Sequence, residues 1–218
     1  MGQLFKRRAN SIAKLTLVGV PLLIISGSVA MYAFARSDFW TSVNVPLEQP
    51  VPFSHQHHVA GLGIDCRYCH TSVEQSSFAG LPPTETCMTC HSQVWKDAPV
   101  LQPVRDSLQT GTPIKWTRVH DLPDYVYFDH SIHVNKGVGC ASCHGQMDQM
   151  PLTRKTNSLE MRWCLDCHRH PEQHLRPPDE VFDMNYKAPS KQLAFGRQLV
   201  KQNNVHKEGL TDCYTCHR

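Results

Sequence analysis

The stretch Cys66-Arg67-Tyr68-Cys69-His70 has the form C-x-x-C-H, and the same form recurs four more times along the chain. The other copies are Cys87-Met88-Thr89-Cys90-His91, Cys140-Ala141-Ser142-Cys143-His144, Cys164-Leu165-Asp166-Cys167-His168 and Cys213-Tyr214-Thr215-Cys216-His217. We number them motif 1 to motif 5 in chain order. Together they use all ten cysteines of the 218 residues, so the pattern accounts for every thiol.

C-x-x-C-H is the attachment sequence of a c-type haem. The two thiols add to the vinyl groups of one porphyrin, and a spacing of three residues puts both sulfurs on one side of a helical turn. The adjacent histidine becomes the proximal ligand of the iron. Five motifs therefore predict five haems c, with proximal ligands His70, His91, His144, His168 and His217.

Paired cysteines have other uses besides haem attachment. Cys-x-x-Cys pairs also build tetrahedral zinc sites, and a single pair can be a redox dithiol or a disulfide. Zinc sites do not require a histidine directly after the second cysteine of every pair, and a redox dithiol is not normally repeated five times. The pattern therefore favours haem.

An apolar run without charge, Leu15 to Ala35, precedes the motifs. Its 21 residues are enough to span a bilayer as one helix, for which about 20 are needed. Basic residues come before the run: Lys6, Arg7, Arg8 and Lys14. The positive-inside rule then predicts a cytoplasmic N-terminus and an extracytoplasmic, periplasmic remainder on the inner membrane. The alternative is a cleaved signal peptide, for which Ala33-Phe34-Ala35 resembles a cleavage site.

The sequence thus divides into residues 1–40, with the anchor, and residues 41–218, with the haems. Some 36 residues per haem are too few for a separate hydrophobic core, so the rings themselves would form much of the core. We expect a mainly irregular fold with short α-helices, wrapped around five haems, plus one N-terminal transmembrane helix. The net charge of +3 omits the haem propionates, so it gives no support to nucleic-acid binding.

An internal repeat of about 74 residues extends beyond the motifs. Phe53-Ser54-His55-Gln56-His57-His58-Val59, the first histidine segment, aligns with Phe128-Asp129-His130-Ser131-Ile132-His133-Val134, the second histidine segment. The pattern indicates a duplicated two-haem module at about residues 53–127 and 128–204, with a partial third copy at 205–218.

The shared pattern F-x-H-x-x-H supplies candidates for the sixth, distal ligand of iron. These are His55, His58, His130 and His133, whose three-residue spacing would direct the two histidines of a segment toward two rings. The fifth distal ligand could be His120 or His206, and a methionine would serve as well. The methionine candidates are Met150, Met161 and Met184. His170 and His174 are expected to face solvent or a propionate, and Arg176 to pair with a propionate or lie in solvent.

Two longer segments carry a family resemblance. They are VHDLPDYVYFDHSIHV at residues 119–134 and MRWCLDCHR at residues 161–169. With the basic N-terminus, the single apolar run and the five motifs, the chain resembles the pentahaem cytochrome c subunit of bacterial alternative complex III, a quinol:electron acceptor oxidoreductase. The resemblance implies three kinds of partner in the bilayer: an iron–sulfur subunit resembling molybdopterin oxidoreductases, polytopic quinol-binding subunits and a monohaem cytochrome c.

The first functional hypothesis is an electron-transfer subunit of such a complex, without a catalytic site of its own. It would pass electrons along five haems toward a periplasmic cytochrome or a terminal oxidase. The second is a self-sufficient single-helix quinol dehydrogenase that feeds a periplasmic reductase. The third, a reductase of small nitrogen or sulfur compounds, is less favoured because some such enzymes carry lysine in place of a motif histidine, and every motif here ends in histidine.

Overall fold

The computed structural model describes Lys6 and residues 8–217; the first five residues, Arg7 and Arg218 lie outside the described part. Two compact units are present, Met1–Val43 and Asn44–Arg218. The first unit holds helix α1 (Arg8–Ala35) and the short helix α2 (Asp38–Thr41). Helix α1 is 28 residues long, has a mean hydropathy of 2.0 in its most apolar window and buries none of its side chains. It extends the predicted span toward the N-terminus and contains Pro21 without ending there.

The second unit consists of short helices joined by irregular chain. The α-helices are α3 (Cys66–Cys69), α4 (Thr84–His91), α5 (Gln102–Thr110), α6 (His130–Asn135), α7 (Cys140–His144), α8 (Met161–Arg169), α9 (Gln192–Gln202) and α10 (Cys213–Cys216). A π-helix, Gln56–Gly61, and 3₁₀ turns at Pro99–Leu101, Met147–Gln149, Pro171–Gln173 and Pro178–Glu180 complete the set. Over residues 8–217 the regular structure is helical, and β-pairing is limited to isolated bridges such as those of Val126 with His217 and Val138 with Leu175. The predicted fold class is confirmed.

The two cysteines of each attachment motif lie in one helix, as their spacing predicts. Motifs 1 and 5 form the whole of α3 and α10, whereas motifs 2 and 4 form the C-terminal parts of the longer α4 and α8. Asp65 caps α3, because its carboxylate accepts the backbone N–H of Arg67 at 2.8 Å. The helices therefore present both thiols of a motif within one turn.

The hydrophobic core is small and divided. One cluster consists of Val51, Leu101 and Val104. The other consists of Val73, Val134 and Val181, with the half-buried Cys140 packed against it. Val73 follows motif 1 and Val134 belongs to the second histidine segment, so this second cluster joins the two halves of the repeat.

Hydrogen bonds also join the two halves reciprocally. In the first histidine segment, the backbone N–H of Gln56 donates to the carbonyl of Met150, in the chain that follows motif 3. In the second, the N–H groups of His130 and Ser131 donate to carbonyls in the chain that follows motif 1, at Ser77 and Ser76. Each histidine segment is thus held by the half of the repeat to which it does not belong.

Geometry of the cysteine–histidine sites

All ten motif cysteines are free thiols, and most are half-buried. Burial raises the pKa of the Cys69 thiol, and the nearby Cys87 thiol of motif 2 raises it further. Burial and then the Cys66 thiol of motif 1 raise the pKa of Cys140, in motif 3, to about 11. Burial and the neighbouring thiols therefore both disfavour the free thiolate at these positions.

The later motifs are neighbours in the same way. Burial, followed by the Cys167 and Cys164 thiols of motif 4, raises the pKa of Cys143 to about 12. Burial raises the pKa of Cys164, and the Cys216 thiol of motif 5 adds to the effect. The thiols of motifs 3 and 4, and those of motifs 4 and 5, are therefore close enough to disfavour one another's ionisation.

Four of the five predicted proximal histidines direct one ring nitrogen toward the backbone. The Nδ1 atom of His70 lies 2.7 Å from the carbonyl oxygen of Gly80, and that of His91 lies 3.0 Å from the carbonyl of Val94. His168 Nδ1 lies 2.9 Å from the carbonyl of Leu210, and His217 Nδ1 lies 3.3 Å from that of Tyr125. A carbonyl only accepts, so each Nδ1 carries the proton and each Nε2 keeps its lone pair for a metal.

The predicted distal histidines share this feature. The Nδ1–H of His58 donates to the carbonyl of Ser54 at 2.8 Å, and that of His133 donates to the carbonyl of Asp129 at 2.7 Å. The Nδ1–H of His130 donates to the carbonyl of Ser77 at 2.8 Å. His55 differs, since its Nδ1 lies 3.3 Å from the hydroxyl of Thr153.

The distances between ring centres match the spacing of two imidazoles that share one metal ion. Two metal–nitrogen bonds of about 2 Å hold the ring centres about 6 Å apart. The observed pairs are His58 with His91 at 6.2 Å, His130 with His144 at 6.2 Å and His133 with His168 at 6.1 Å. The sequence-predicted distal residues thus lie opposite the proximal histidines of motifs 2, 3 and 4.

A phenylalanine holds each pair of distal histidines. Phe53 meets His55 edge-on at 4.9 Å and stacks on His58 at 4.4 Å. Phe128 meets His130 edge-on at 4.7 Å and stacks on His133 at 4.5 Å. The phenylalanine of F-x-H-x-x-H therefore orients both imidazoles. In the sequence it is recognisable only as a repeated residue.

Histidines cluster around motif 3. The ring of His120 lies 4.3 Å from that of His144, which is too close for the two to share one iron, and its Nε2 is buried without a hydrogen-bond partner. Burial and then His120 and His130 lower the pKa of His144 to about 3. Burial and then Lys155 lower the pKa of His120 to about 4, and burial and then His70 lower that of His55 to about 4. Neutral imidazoles are the form that binds a metal.

The remaining ligand candidates differ in exposure. His206 and Met161 are exposed, whereas Met150 and Met184 are buried. His174 was expected to face solvent or a propionate, but its Nε2 is buried and has no hydrogen-bond partner. The ring of Tyr125 stacks on His217 of motif 5 at 5.8 Å.

Arg176 does not lie in solvent. Only 9% of it is exposed, its Nη1 donates to the carbonyl of Asp183 at 3.0 Å, and its guanidinium lies 4.5 Å above the ring of Tyr186. Of the two surroundings expected for this arginine, a propionate or solvent, solvent is therefore wrong, because the backbone around it supplies acceptors and the ring covers its plane.

The side chains of this protein fit a metal-containing cofactor that itself supplies most of the ligands of its metal. Among residues 8–217, no cluster of three or more His, Cys, Asp or Glu side chains is arranged to hold a metal ion. Facing pairs of imidazoles next to helical C-x-x-C thiols could instead hold a covalently attached haem, through thioether bonds to the cysteines and through histidine nitrogens on the iron. The site and fold together define a multihaem c-type cytochrome.

Comparisons with known proteins agree with this class. Residues 132–218 match the family described as cytochrome c3. Over 177 residues the chain is 41% identical to the menaquinone reductase multiheme cytochrome c subunit of Nitratidesulfovibrio vulgaris, and the match covers 78% of this chain and 77% of the relative. The chain therefore belongs to the family of that multiheme cytochrome c subunit.

Proposed function

We propose that this chain carries five haems c, one on each motif, and passes electrons between redox partners at a membrane without catalysing a reaction of its own. Each bound haem would supply one-electron redox chemistry at its iron. The residues of the chain attach the rings, hold the axial nitrogens and keep the rings close together. Three histidine pairs at 6.1–6.2 Å are the observation that carries the proposal.

The axial ligands follow from the pairs. We assign His58 to motif 2, His130 to motif 3 and His133 to motif 4. We assign His55 to motif 1, because His70 lowers the pKa of His55 after burial does. The matching geometry of the two histidine segments supports duplication of a two-haem module. The distal ligand of motif 5 stays a prediction among His120, His206 and a methionine.

The relative's name supports a complex that exchanges electrons with quinone. We propose that this chain is the cytochrome subunit of a menaquinone reductase, taking electrons from a periplasmic donor and delivering them toward menaquinone in the bilayer. Helix α1 would anchor the chain with its N-terminus in the cytoplasm, because the basic residues precede the apolar span. The partners would be an iron–sulfur subunit resembling molybdopterin oxidoreductases, polytopic quinone-binding subunits and a monohaem cytochrome c.

The resemblance to alternative complex III favours a second candidate function, in which the same haems carry electrons in the opposite direction. In that complex quinol would be oxidised, and the haems would carry electrons away from the membrane. The segments at residues 119–134 and 161–169 are the specific observation behind this candidate. The two candidates share cofactors and anchor and differ in which partner is the electron donor.

Purification of the chain from membranes in mild detergent tests both candidates. We expect a stable assembly that contains iron–sulfur and polytopic membrane subunits, with five haems per copy of this chain. Reduction of a menaquinone analogue by the assembly, with a reduced periplasmic cytochrome as donor, would support the menaquinone reductase. Haem reduction by quinol, followed by transfer to an oxidised cytochrome, would support the alternative complex III type. A lone haem protein that oxidises quinol by itself would contradict both.

A further inference from the structure

The second unit does not arrange the motifs in their chain order. We propose that they form a line in space in the order motif 2, motif 1, motif 3, motif 4, motif 5, so that electrons enter and leave this chain at motifs 2 and 5. The proposal rests on the proposed function and adds to it the path and its two ends.

Motif 1 has neighbours on both sides. Toward motif 2, the hydroxyls of Tyr68 and Thr89 are hydrogen-bonded at 3.0 Å, and Cys69 lies near Cys87. Toward motif 3, Cys140 packs against the cluster that contains Val73, three residues after His70, and the Cys66 thiol raises the pKa of Cys140. The chain that follows motif 3 also holds the first histidine segment. Motif 2 is therefore separated from motif 3 by motif 1, although the sequence places motif 2 between them.

The histidine segments give the same neighbours. His55 and His58 lie on one segment and face motifs 1 and 2 respectively. His130 and His133 lie on one helix and face motifs 3 and 4. The first histidine segment therefore makes motifs 1 and 2 neighbours, and the second makes motifs 3 and 4 neighbours. A three-residue spacing on a helix allows two histidines to face two adjacent motifs.

Motif 5 extends the line beyond motif 4. The proximal His168 of motif 4 donates to the carbonyl of Leu210, three residues before Cys213. Cys164 of motif 4 lies near Cys216 of motif 5. Motifs 1 and 3, the first motifs of the two halves of the repeat, are therefore neighbours inside the line. Motif 2 follows motif 1 at one end, and motifs 4 and 5 follow motif 3 toward the other.

A structure of the haem-loaded chain in its membrane complex, by electron cryomicroscopy, tests the order directly and independently of the axial ligands and the direction of flow. The expected result is that the porphyrin attached to Cys66 and Cys69 has two porphyrin neighbours, attached to motifs 2 and 3. A porphyrin on Cys87 and Cys90 that lies between those of motifs 1 and 3 would overturn the proposal, even if the complex reduces menaquinone as proposed.

Flash photoreduction tests the path in solution. A ruthenium photosensitiser on Glu208→Cys, in the exposed chain just before motif 5, would reduce the nearest haem first. His55→Met and His58→Met are matched variants that place a methionine-ligated, higher-potential haem on motif 1 or on motif 2. The electron should reach the methionine-ligated haem several-fold later in His58→Met than in His55→Met, because it must pass one more haem.

The control moves the photosensitiser to the other end of the line. With the label on Gln93→Cys, next to motif 2, the order of arrival should reverse. Equal or earlier arrival in His58→Met with the label on Glu208→Cys would contradict the order. A variant without the far-red absorption of a methionine-ligated haem would instead contradict the ligand assignment, and the porphyrin positions would still decide the order.

Discussion

The two histidine segments hold their imidazoles in the same way on different backbones. The first forms a π-helix, Gln56–Gly61, and the second an α-helix, His130–Asn135. Both keep the edge-on and stacked contacts to their phenylalanine and the Nδ1–H bond to the carbonyl four residues earlier. Ring packing and the Nδ1 hydrogen bond, rather than the helix type, therefore fix where each imidazole lies.

The segments differ in what supports them. Asp129 caps the second helix by accepting the N–H groups of Ser131 and Ile132, whereas Ser54 gives the first segment one weaker hydroxyl acceptor for the N–H of His57. The second segment also contributes the buried Val134 to the cluster that joins the halves. The second half should therefore be the more sensitive to substitution.

The largest contrast is expected between motif 2 and its counterpart, motif 4. Replacing both cysteines of motif 2 by alanine, Cys87→Ala with Cys90→Ala, removes the end of the line and should leave four haems. Cys164→Ala with Cys167→Ala leaves motif 4 without its haem and should loosen His168, which donates to the carbonyl of Leu210 before motif 5, so fewer than four haems should remain. Haem content per chain and the melting temperature measure both. Retention of four haems by the motif 4 variant would contradict the difference.

A smaller contrast concerns the glycine three residues before motifs 1 and 3. Gly63 and Gly137 both have positive φ, +70° and +88°, but a Cβ on Gly63 would meet nothing within 4 Å, whereas one on Gly137 would overlap the carbonyl of Arg176. Gly63→Ala should cost about 1–2 kcal/mol of unfolding free energy, from left-handed strain alone. Gly137→Ala should cost roughly 2–4 kcal/mol more, because backbone must move. Thermal unfolding of the haem-loaded variants measures this, and equal costs would contradict it.

Phe53→Ala and Phe128→Ala should differ in which haems change spectroscopically rather than in how much stability they cost. Phe53→Ala and Phe128→Ala each remove one half-buried ring, which should cost about 2 kcal/mol, less than the 3–5 of a fully buried phenylalanine. Each should also loosen two axial histidines of its own half only. Electron paramagnetic resonance should then show changed axial ligation of two haems per variant, with the leucine variants as controls. Changes spread over all the haems would contradict local orientation.

Much of this could be predicted from the sequence, because the decisive residues are close together in it. A cysteine spacing of three specifies a helical turn, and the repeat of F-x-H-x-x-H predicted the residues that face motifs 2, 3 and 4. The burial of Arg176 and His174, the approach of His120 to His144 and the spatial order of the motifs depend on contacts between distant segments. Local spacing carries no information about those contacts.

The smallest effect concerns the caps of the two segments and depends on pH. Hydrogen bonds from the Ser131 hydroxyl and from two backbone N–H groups lower the pKa of Asp129 below its ordinary value. A carboxyl whose pKa is lowered by folding adds stability above its unfolded pKa of about 4, and this stability is lost as the pH falls through the folded value. Asp129→Ala should therefore cost about 1 kcal/mol at neutral pH, typical of a helix cap, and less in acid.

Ser54→Ala, the matched variant of the first segment, should cost less and show no such dependence, since a hydroxyl does not titrate in this range. Chemical denaturation of the haem-loaded variants at pH 7 and near pH 3 measures both, and a cost for Asp129→Ala that stays constant with pH would contradict the role of the ionised cap.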